Sequence, residues 1–454
     1  MASGVFDDAL IGHLWSTEEL RAIFSDANRV QKWYDYEAAL AQAQAELGII
    51  PCAAAAEIAA KARVENFDLG LIAAEIRRIK HPLVPALQAL QRLCGPESGE
   101  YVHFGPTTQD VLDTATVLQM KDAHTVYLRD MKAIGRELYR LAEAHKATPM
   151  VGRSHGVQAL PITFGHKCAV WLSEMGRNYQ RLRQLEPRLF VGGMAGAVGT
   201  QASFGPRAAE LEKRLMQRLG LGAADINWQP ARDRFAEYLC VLAIIGGTLG
   251  KIANEIVILE HDEIAELAEP FSAGKVGSST MPHKRNPSTA EAAVAVSRAL
   301  RYNAAFMLEC MVTEHERDGS AWRGEWKALP ESCVMSGALL AMMKYTLAGL
   351  MVNAERMREN LDRLGGFLLS ERVMFALSGK LGKQTAHELV YEAAMRGMEQ
   401  DITFEESLMR NDRVRAALSR GELRAALDPA TYVGRAPQIV DSVLAQQQAD
   451  GWLD

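Results

Sequence analysis

The chain has 454 residues, which is too long for one simple core and predicts two or three domains. Hydrophobic residues make up 48% of it and charged residues 23%, as is ordinary for a soluble globular protein. The formal net charge of −6 argues against a general binder of nucleic acid or of membrane surfaces. The six cysteines are scattered without a CxxC pair, which predicts free thiols in a reducing compartment.

The N-terminus lacks a basic head followed by an apolar run, so no signal peptide is predicted. The longest apolar candidate for a membrane span, residues 335–352, is interrupted by Lys344 and is expected to be a core helix. We therefore expect a cytoplasmic protein with no nucleic-acid or membrane partner.

The first part of the chain is expected to form a small helical unit. Its predicted core consists of Trp33, Tyr34, Leu40 and Leu47. The stretch HFGPTTQDVLDT at its end places Thr107, Thr108 and Gln109 just before a long apolar-periodic segment. Either threonine suits the N-cap of a helix. Hydroxyl and backbone N–H groups at such a helix start can also bind a carboxylate or phosphate, so both interpretations stay open.

Helix-favouring residues dominate the middle of the chain. The clearest segment, 233–269, repeats apolar residues at spacings of three and four over four heptads, as in a long helix of a left-handed bundle. Pro270 is expected to end it. Similar patterns predict helices over 111–145, 161–185, 288–312 and 330–352. Prolines 106, 149, 161, 270, 287 and 330 are expected to separate the helices.

These patterns predict an all-α fold of three helical domains, with few and short strands. The expected domains are an N-terminal one at 1–110, a central bundle of five long helices at 111–354 and a C-terminal one at 355–454. Several long helices carry apolar residues on more than one side. Burying these faces is expected to need neighbouring subunits, so we expect a homotetramer with a helical core.

Two histidines lie in predicted loops. His155, in GRSHGVQALP, is expected in a loop before a helix, and His81 stands between Lys80 and Pro82. A loop histidine is more often an incidental surface residue than a catalytic one, and from position alone both interpretations stay open. The glycine-rich stretch GGMAGAVGT, 192–200, fits no nucleotide-binding motif but lets backbone approach a ligand closely.

The stretch GSSTMPHKRNP, 277–287, is a polar loop between two apolar-periodic segments. Ser288 and Glu291 after it form a capping-box pattern, which predicts a helix whose positive end lies beside the loop. Together with Lys284 and Arg285, that end would suit an anionic ligand. The alternative is a plain solvated loop, although Pro282 and Pro287 argue against high flexibility.

The loop resembles the signature of the fumarase/aspartase superfamily, Gly-Ser-Ser-x-Met-Pro-x-Lys-x-Asn. Every fixed position is filled here, by Gly277, Ser278, Ser279, Met281, Pro282, Lys284 and Asn286. The other polar segments fall where that superfamily has its shared regions, and the resemblance covers essentially the whole chain. It implies a cofactor-free and metal-free lyase that catalyses anti β-elimination, or the reverse addition, on a succinyl-type dicarboxylate or tricarboxylate.

Two branches compete within the superfamily. TPMVGRSHGVQALPITFG and RDRFAEYL are similar to adenylosuccinate lyases, whereas YVHFGPTTQDVLDTA, EHERDGSAWRGEWKALPE and LDPATYVGRAP look more like bacterial 3-carboxy-cis,cis-muconate cycloisomerases. The chain lacks the Arg-Tyr pair with which the former begin their nucleotide site, and Trp322 and Trp326 replace later nucleotide contacts. It also keeps His155 where bacterial cycloisomerases usually have tryptophan. The chain is thus expected to be most similar in sequence to the cycloisomerases, but with a lyase of an unassigned dicarboxylate as one alternative to a true cycloisomerase and an adenylosuccinate lyase-like C–N lyase as another.

The resemblance also implies residue roles. Ser278 would be the catalytic base, while His155 and His81 would be candidates for the acid. Substrate carboxylates would be held by Thr107, Thr108, Gln109, Ser279, Lys284, Asn286 and Arg317. Active sites would be shared between subunits of the tetramer. A crystallin-like structural protein is the alternative from another class, and the filled signature argues against it.

Overall fold

A computed structural model of the chain describes residues 4–6, 8–271, 274 and 277–454. Helices make up 69% of the chain and strands 4%, which confirms the predicted all-α class. The chain forms two compact units. The first comprises residues 1–131, 178–250 and 292–342, and the second comprises residues 132–177, 251–291 and 343–454. The three predicted domain boundaries stay a prediction.

Polar N-cap side chains begin several of the N-terminal helices of the first unit. These helices are α1 (Glu18–Ile23), α2 (Asp26–Glu46), α3 (Cys52–Lys61), α4 (Leu69–Ile79) and α5 (Val84–Ser98). The hydroxyls of Thr17 and Ser25 accept the first free backbone N–H groups of α1 and α2, and the Asp68 carboxylate does so for α4. The four predicted core residues of this region are all buried, which confirms that expectation.

Long helices dominate the middle of the chain. They are α6 (Thr108–Ala144), α7 (Phe164–Leu189), the shorter α8 (Ala208–Leu219), α9 (Asp233–Leu259), α10 (Ser288–Glu309) and α11 (Gly319–Ala348). Within the first unit, Asn178 of α7 donates to Thr248 Oγ1 of α9 at 2.8 Å, and Tyr127 of α6 donates to the Cys333 carbonyl of α11 at 2.6 Å. Buried polar contacts therefore fix helix register within an apolar core.

The heptad pattern of α9 is confirmed by burial. Its two apolar rows are no more than 4% exposed at any of their eight positions, which are Phe235, Tyr238, Leu242, Ile245, Leu249, Ile252, Ile256 and Leu259. This helix is also long and apolar enough to cross a membrane by length and composition alone, and 56% of its most apolar window is buried in the protein. Helix packing accounts for its apolar character. Among the described residues α9 is the one helix that meets this test, whereas residues 335–352, the candidate named from the sequence, do not.

The strands are short and pair in twos. Strands β1 (Pro149–Ser154) and β2 (Val157–Thr163) form an antiparallel hairpin, and β3 (Leu267–Ala268) pairs antiparallel with β4 (Met351–Val352). The C-terminal helices follow in the second unit. They are α12 (Ala354–Asp362), α13 (Ser370–Leu381), α14 (Lys383–Glu399), α15 (Phe404–Met409), α16 (Asp412–Ala417), α17 (Arg420–Ala426) and α18 (Ala436–Ala449).

Three predicted helix ends were wrong. Helix α9 ends at Leu259, not at residue 269, because the chain turns there to pair β3 with β4. Pro161 lies in β2, and α7 starts only at Phe164. Helix α11 starts at Gly319 and continues through Pro330. A proline removes one backbone hydrogen bond and can kink a helix, but buried residues on both sides of it, such as Leu329 and Cys333, hold α11 together.

A separate apolar cluster stabilises the C-terminal helices. Leu377 of α13, Leu389 of α14, Phe404 and Leu408 of α15 and Leu423 of α17 all belong to it. Leu408 has no exposed surface. Because the surrounding helices are short and mutually dependent, a cavity at this position cannot close by a small shift of one helix.

We predict that Leu408→Ala lowers the free energy of unfolding by about 2–5 kcal/mol, the usual cost of a cavity left by a buried leucine. Denaturant unfolding followed by circular dichroism measures this. The control is Met398→Ala on α14, whose side chain is 61% exposed and which should change stability by less than about 0.5 kcal/mol. Equal effects of the two substitutions would contradict the assigned core.

Candidate functional site

His81 of the first unit follows the left-handed end of α4 at Lys80, where φ is 59°. Its Nδ1 accepts the backbone N–H groups of Val84 at 3.2 Å and Leu83 at 3.4 Å. Nδ1 therefore carries no proton, and in the neutral ring the proton resides on Nε2, which lies 3.4 Å from Thr108 Oγ1. Burial and the nearby His103 lower the pKa of His81. The ring is thus neutral near pH 7 and presents an N–H donor.

The start of α6 brings further predicted residues to His81. His81, Thr108, Gln109 and Arg317 line one cavity of about 270 Å³, named here the His81 cavity. Arg317 donates to Thr107 Oγ1 at 2.7 Å, which connects the fifth predicted residue. Thr107 occupies the N-cap position, since α6 starts at Thr108. An arginine, two hydroxyls and a neutral imidazole donor around one cavity suit a carboxylate.

The same cavity has an aromatic wall. Trp322 and Trp326 lie 4.9 Å apart between ring centroids in an edge-to-face arrangement. Trp322 is fixed by a 2.8 Å hydrogen bond from its indole N–H to Asp113. Trp326 is 41% exposed and has the Arg323 guanidinium over its ring. Trp228, by contrast, is buried and donates to the Gly192 carbonyl, which makes it a structural residue.

Asp110 holds the glycine-rich stretch against α6. Its carboxylate accepts the N–H groups of Ala195 at 2.8 Å, Gly196 at 3.0 Å and Thr107 at 2.9 Å. Gln229 adds a side-chain N–H at 3.0 Å. Burial raises the pKa of Asp110 against the effect of these donors. The side chain that approaches the backbone of the glycine-rich stretch is therefore that of Asp110. The N–H groups of Ala195 and Gly196 are bonded to it and are not free to bind a ligand.

Asp113, which accepts the hydrogen bond from Trp322, belongs to a buried cluster of charged side chains. Arg232 makes paired contacts to Asp113, at 2.7 and 3.2 Å, and to Glu325, at 2.5 and 2.7 Å. All three side chains are almost fully buried. Burial raises the pKa of Glu325. Because removal of one partner would leave a buried charge unpaired, the cluster fixes the spacing of α6, α9 and α11 in the first unit.

His103 gives the His81 cavity a charged neighbour. Its Nδ1 lies 2.7 Å from Glu37 Oε1, and its backbone N–H donates to the same carboxylate at 2.9 Å. Burial lowers the pKa of His103, but the Glu37 carboxylate outweighs burial and the net pKa is raised. The contact with Glu37 therefore keeps the His103 imidazole positively charged up to a higher pH than for a free histidine.

In the second unit, the signature loop holds Ser278 through its own backbone. Ser278 Oγ accepts the N–H groups of Met281 at 3.0 Å and Thr280 at 3.3 Å. Both donors point at the oxygen, so they stabilise negative charge on it. Gly277 is required here, since a Cβ at this position would lie 2.2 Å from the Lys284 carbonyl oxygen.

The other predicted loop residues divide into two groups. Asn286 donates to the Gly277 carbonyl at 2.6 Å and so closes the base of the loop. Lys284 and Ser279 are exposed, and the side-chain ammonium of Lys284 has no hydrogen bond or ion pair with any residue in the described ranges. Asn286 therefore acts first as a positioning residue, whereas Lys284 is free to bind an anion.

The start of α10 is occupied by a carboxylate. Glu269 accepts the N–H groups of Thr289 and Ala290, both at 3.1 Å, and the Thr289 hydroxyl at 3.2 Å. The predicted capping box was wrong, because Ser288 is already the first helical residue and the helix begins from the Pro287 carbonyl. The positive end of this helix is neutralised by Glu269, so it does not add to an anion site beside the loop.

His155 lies in a hairpin turn, not in a loop directly before a helix. His155 and Gly156 connect β1 to β2 with φ values of 53° and 81°, as in a two-residue type I′ turn, and both are exposed. The hairpin is held below the turn by Arg153, which pairs with buried Glu266 at 2.7 and 3.0 Å. In the described part of the chain, no hydrogen bond joins His155 to another predicted site residue.

The predicted residues thus form groups. His81, Thr107, Thr108, Gln109 and Arg317 meet around the His81 cavity, Ser278, Ser279, Lys284 and Asn286 share the signature loop, and His155 stands alone on its turn. The supporting residues Asp110, Arg232 and Glu269 were missed. Arg232 lies in the polar stretch NWQPARDR just before α9, so its apolar surroundings could not be read from the sequence. No spacing in the sequence indicates that Glu269 caps α10.

Two family models match the chain. One, described as "Lyase", matches residues 15–300, and another, described as "Adenylosuccinate lyase C-terminus", matches residues 366–443. Among solved structures, 3-carboxy-cis,cis-muconate lactonizing enzyme from Pseudomonas putida is similar, with a TM-score of 0.93 and 35% identity. That similarity covers 98% of this chain and 100% of the other.

Three characterised relatives align over nearly the whole chain. N-acetyl-S-(2-succino)cysteine lyase of Dickeya dadantii is 48% identical, and the alignment covers 100% of both proteins. The 3-carboxy-cis,cis-muconate cycloisomerase of Pseudomonas aeruginosa is 38% identical over 95% of both. Adenylosuccinate lyase of Methanocaldococcus jannaschii is 37% identical, over 96% of this chain and 95% of the other. The expectation that the cycloisomerase is most similar was therefore wrong.

The His103–Glu37 pair predicts a pH-dependent stability. Because the folded pKa of His103 is raised above its unfolded value of about 6.5, its contribution is fully present below that value and is lost as pH rises through the folded pKa. The difference in unfolding free energy between the wild type and Glu37→Gln should therefore shrink as pH rises from about 6 to about 9.

Denaturant unfolding at several pH values measures this difference, and the half-buried Glu57→Gln, which loses a carboxylate paired with Lys61, serves as a control. His103→Gln should show the same trend as Glu37→Gln. A difference that does not change with pH in either His103–Glu37 variant would contradict the pairing.

Proposed function

Since the chain belongs to the fumarase/aspartase superfamily, we propose that it is a lyase that breaks the carbon–sulfur bond of a 2-succino thioether and releases fumarate. The observation that carries the proposal is 48% identity, from end to end, with N-acetyl-S-(2-succino)cysteine lyase. The proposed substrate is N-acetyl-S-(2-succino)cysteine or a close N-acyl relative. The products are fumarate and the free thiol.

The proposed reaction is an anti β-elimination. A base removes a proton from C3 of the succinyl group, next to the C4 carboxylate. The electron pair passes into that carboxylate as an aci-carboxylate and then forms the C2–C3 double bond while the C2–S bond breaks. The sulfur leaves with the bonding pair and takes up one proton, so atoms and charge balance. The site must therefore supply a base, positive charge at the C4 carboxylate and a hydrogen-bond donor near the sulfur.

Ser278 is the proposed base. A serine hydroxyl is a weak base in water, so its alkoxide needs stabilisation. The two backbone N–H groups of Thr280 and Met281 that point at Ser278 Oγ support this assignment, because they favour negative charge on the oxygen and need no rearrangement when it forms. The exposed Lys284 ammonium adds a mobile positive charge on the same loop.

The two substrate carboxylates are assigned to different groups. Lys284 and Ser279 would bind the C4 carboxylate whose charge grows, with Asn286 keeping the loop in shape. Thr107, Thr108, Gln109 and Arg317 would bind the other carboxylate. The Arg317 contact to Thr107 supports this, because it places a guanidinium beside the hydroxyl groups at the start of α6.

His81 is the preferred hydrogen-bond donor to the departing sulfur, with His155 as the second candidate. The Nδ1 contacts of His81 leave its proton on Nε2. A thiol of pKa about 8.5 can leave as the thiolate, so a hydrogen bond from the neutral imidazole is sufficient, and the proton that the sulfur takes up comes from solvent after release. No metal ion or organic cofactor is needed in this scheme.

We also propose that the protein acts in the cytoplasm as a homotetramer, with each active site shared between subunits. Large apolar side chains remain exposed on the long helices of this single chain. Tyr302, Phe306 and Leu308 on α10 are examples, and the first two are one helical turn apart. Assembly would cover them and bring segments of different subunits together.

Cycloisomerisation of a carboxymuconate is the second candidate. The 38% identity to the Pseudomonas aeruginosa cycloisomerase and the TM-score of 0.93 to the Pseudomonas putida enzyme favour it. Adenylosuccinate cleavage is favoured less, because Trp322 and Trp326 stand where those lyases have contacts for the nucleotide. A panel of N-acetyl-S-(2-succino)cysteine, carboxymuconate and adenylosuccinate separates the three by the product formed.

We predict that Ser278→Ala lowers kcat for fumarate release from N-acetyl-S-(2-succino)cysteine by at least about 10³-fold, because the base is lost. Fumarate absorbance measures the rate. Thr280→Ala is the matched control, since its backbone N–H to Ser278 is kept while its own exposed hydroxyl is removed. Circular dichroism checks that both variants fold. Near-normal turnover by Ser278→Ala would refute the assignment.

The assembly is tested by light scattering of the purified protein at micromolar concentration. We expect a mass of about four chains, because the exposed apolar faces of the long helices need cover. A monomer under these conditions would contradict the shared-site proposal.

A further inference from the structure

The first unit contains a second cavity of about 390 Å³, separate from the His81 cavity. Its lining is mainly apolar, with Val30, Trp33, Ile72, Leu112, Phe235 and Leu329 among the residues. We name it the apolar cavity. Its volume falls within the range of roughly 300–1,000 Å³ that is usual for small-molecule sites.

The polar groups at the apolar cavity are already paired. Asp113 and Glu325 both bind Arg232, and Arg29 lies 3.5 Å from Asp26. Arg77 lies exposed at the edge. An occupant with a buried charge would therefore find no free counter-charge inside, and burial of a charge without a partner is costly. The chemistry of the lining fits an uncharged, apolar group.

The two cavities share a wall. Pro82, Trp322 and Trp326 line both of them. Trp322 is held by its hydrogen bond to Asp113, whereas Trp326 is 41% exposed. A ligand in the His81 cavity thus lies against the tryptophan pair, which also lines the apolar cavity.

We propose that the apolar cavity takes the acyl chain of the leaving group, so that the enzyme prefers N-acyl-S-(2-succino)cysteines with chains longer than acetyl. This inference rests on the proposed function and names its substrate class more closely. The succinyl group and the departing sulfur stay beside His81, and the N-acyl chain passes the Trp322–Trp326 wall. An acetyl group would reach the wall and leave the apolar cavity unfilled.

The test is a chain-length series with the wild-type protein. The substrates carry N-acetyl, N-butanoyl and N-hexanoyl groups, and fumarate release gives kcat/KM for each. We expect kcat/KM to rise about fourfold for each added methylene while the chain enters the apolar cavity. Quenching of tryptophan fluorescence should show the same order for the thiol products, since Trp33, Trp322 and Trp326 line the cavity.

Substitutions at two neighbouring alanines of α4 test whether the preference for longer acyl chains arises in the apolar cavity. Ala73 lines the apolar cavity and is half-buried, whereas Ala74 is exposed and does not line it. Ala73→Phe should reduce the ratio of hexanoyl to acetyl kcat/KM to about one, because the added ring fills the cavity. Ala74→Phe should leave that ratio unchanged. Thermal melting checks that both variants fold. If Ala73→Phe does not fold, the chain-length series with the wild-type protein tests the acyl-chain inference.

The outcomes separate the two proposals. If the acetyl compound is turned over and kcat/KM does not rise for longer chains, the acyl-chain inference is overturned while the proposed function stands. This is the result expected if a segment of another subunit fills the apolar cavity. A preference for long chains that survives in Ala73→Phe also overturns it. If no compound releases fumarate, the proposed function fails, and this inference fails with it.

Discussion

The arrangement of the first unit depends on one buried carboxylate, Asp110, in the first turn of α6. It joins the N–H groups of the glycine-rich stretch to the helix start and to Thr107. Without these donors a carboxylate at this depth would be too costly to keep. The predicted carboxylate-binding residues Thr107, Thr108 and Gln109 flank Asp110 in sequence, so this interaction also sets their position around the His81 cavity.

Both helix starts near the candidate residues are already neutralised by protein acids. Asp110 does so at α6 and Glu269 at α10. The positive N-terminal ends of these two helices are therefore neutralised within the protein. Substrate anions must instead bind cationic side chains such as Arg317 and Lys284. In the proposed elimination these two cations would balance the negative charge of the substrate carboxylates.

The backbone instead supports the proposed base. Two N–H groups of the signature loop point at Ser278 Oγ, and the loop keeps this shape because Gly277 fits against Lys284 and Asn286 ties its base. Gly277, Ser278 and Asn286 of the signature thus each have a geometric role in the loop. The leaving sulfur is assigned a hydrogen bond from neutral His81, which fits a thiol that can leave as its thiolate. Burial, with a smaller effect of the nearby His103, lowers the pKa of His81 and favours its neutral form.

The sequence by itself determined the all-α class, the eight buried heptad positions of α9, the family and the candidate residues, because periodicity and a filled signature are local properties of the chain. The tertiary structure decided what depends on contacts between distant residues. These are the end of α9 where β3 meets β4, the passage of α11 through Pro330, the capping of α10 by Glu269, the turn that carries His155 and the cavity behind Trp322 and Trp326. Such features follow from packing and desolvation across the fold, which no spacing along the chain records.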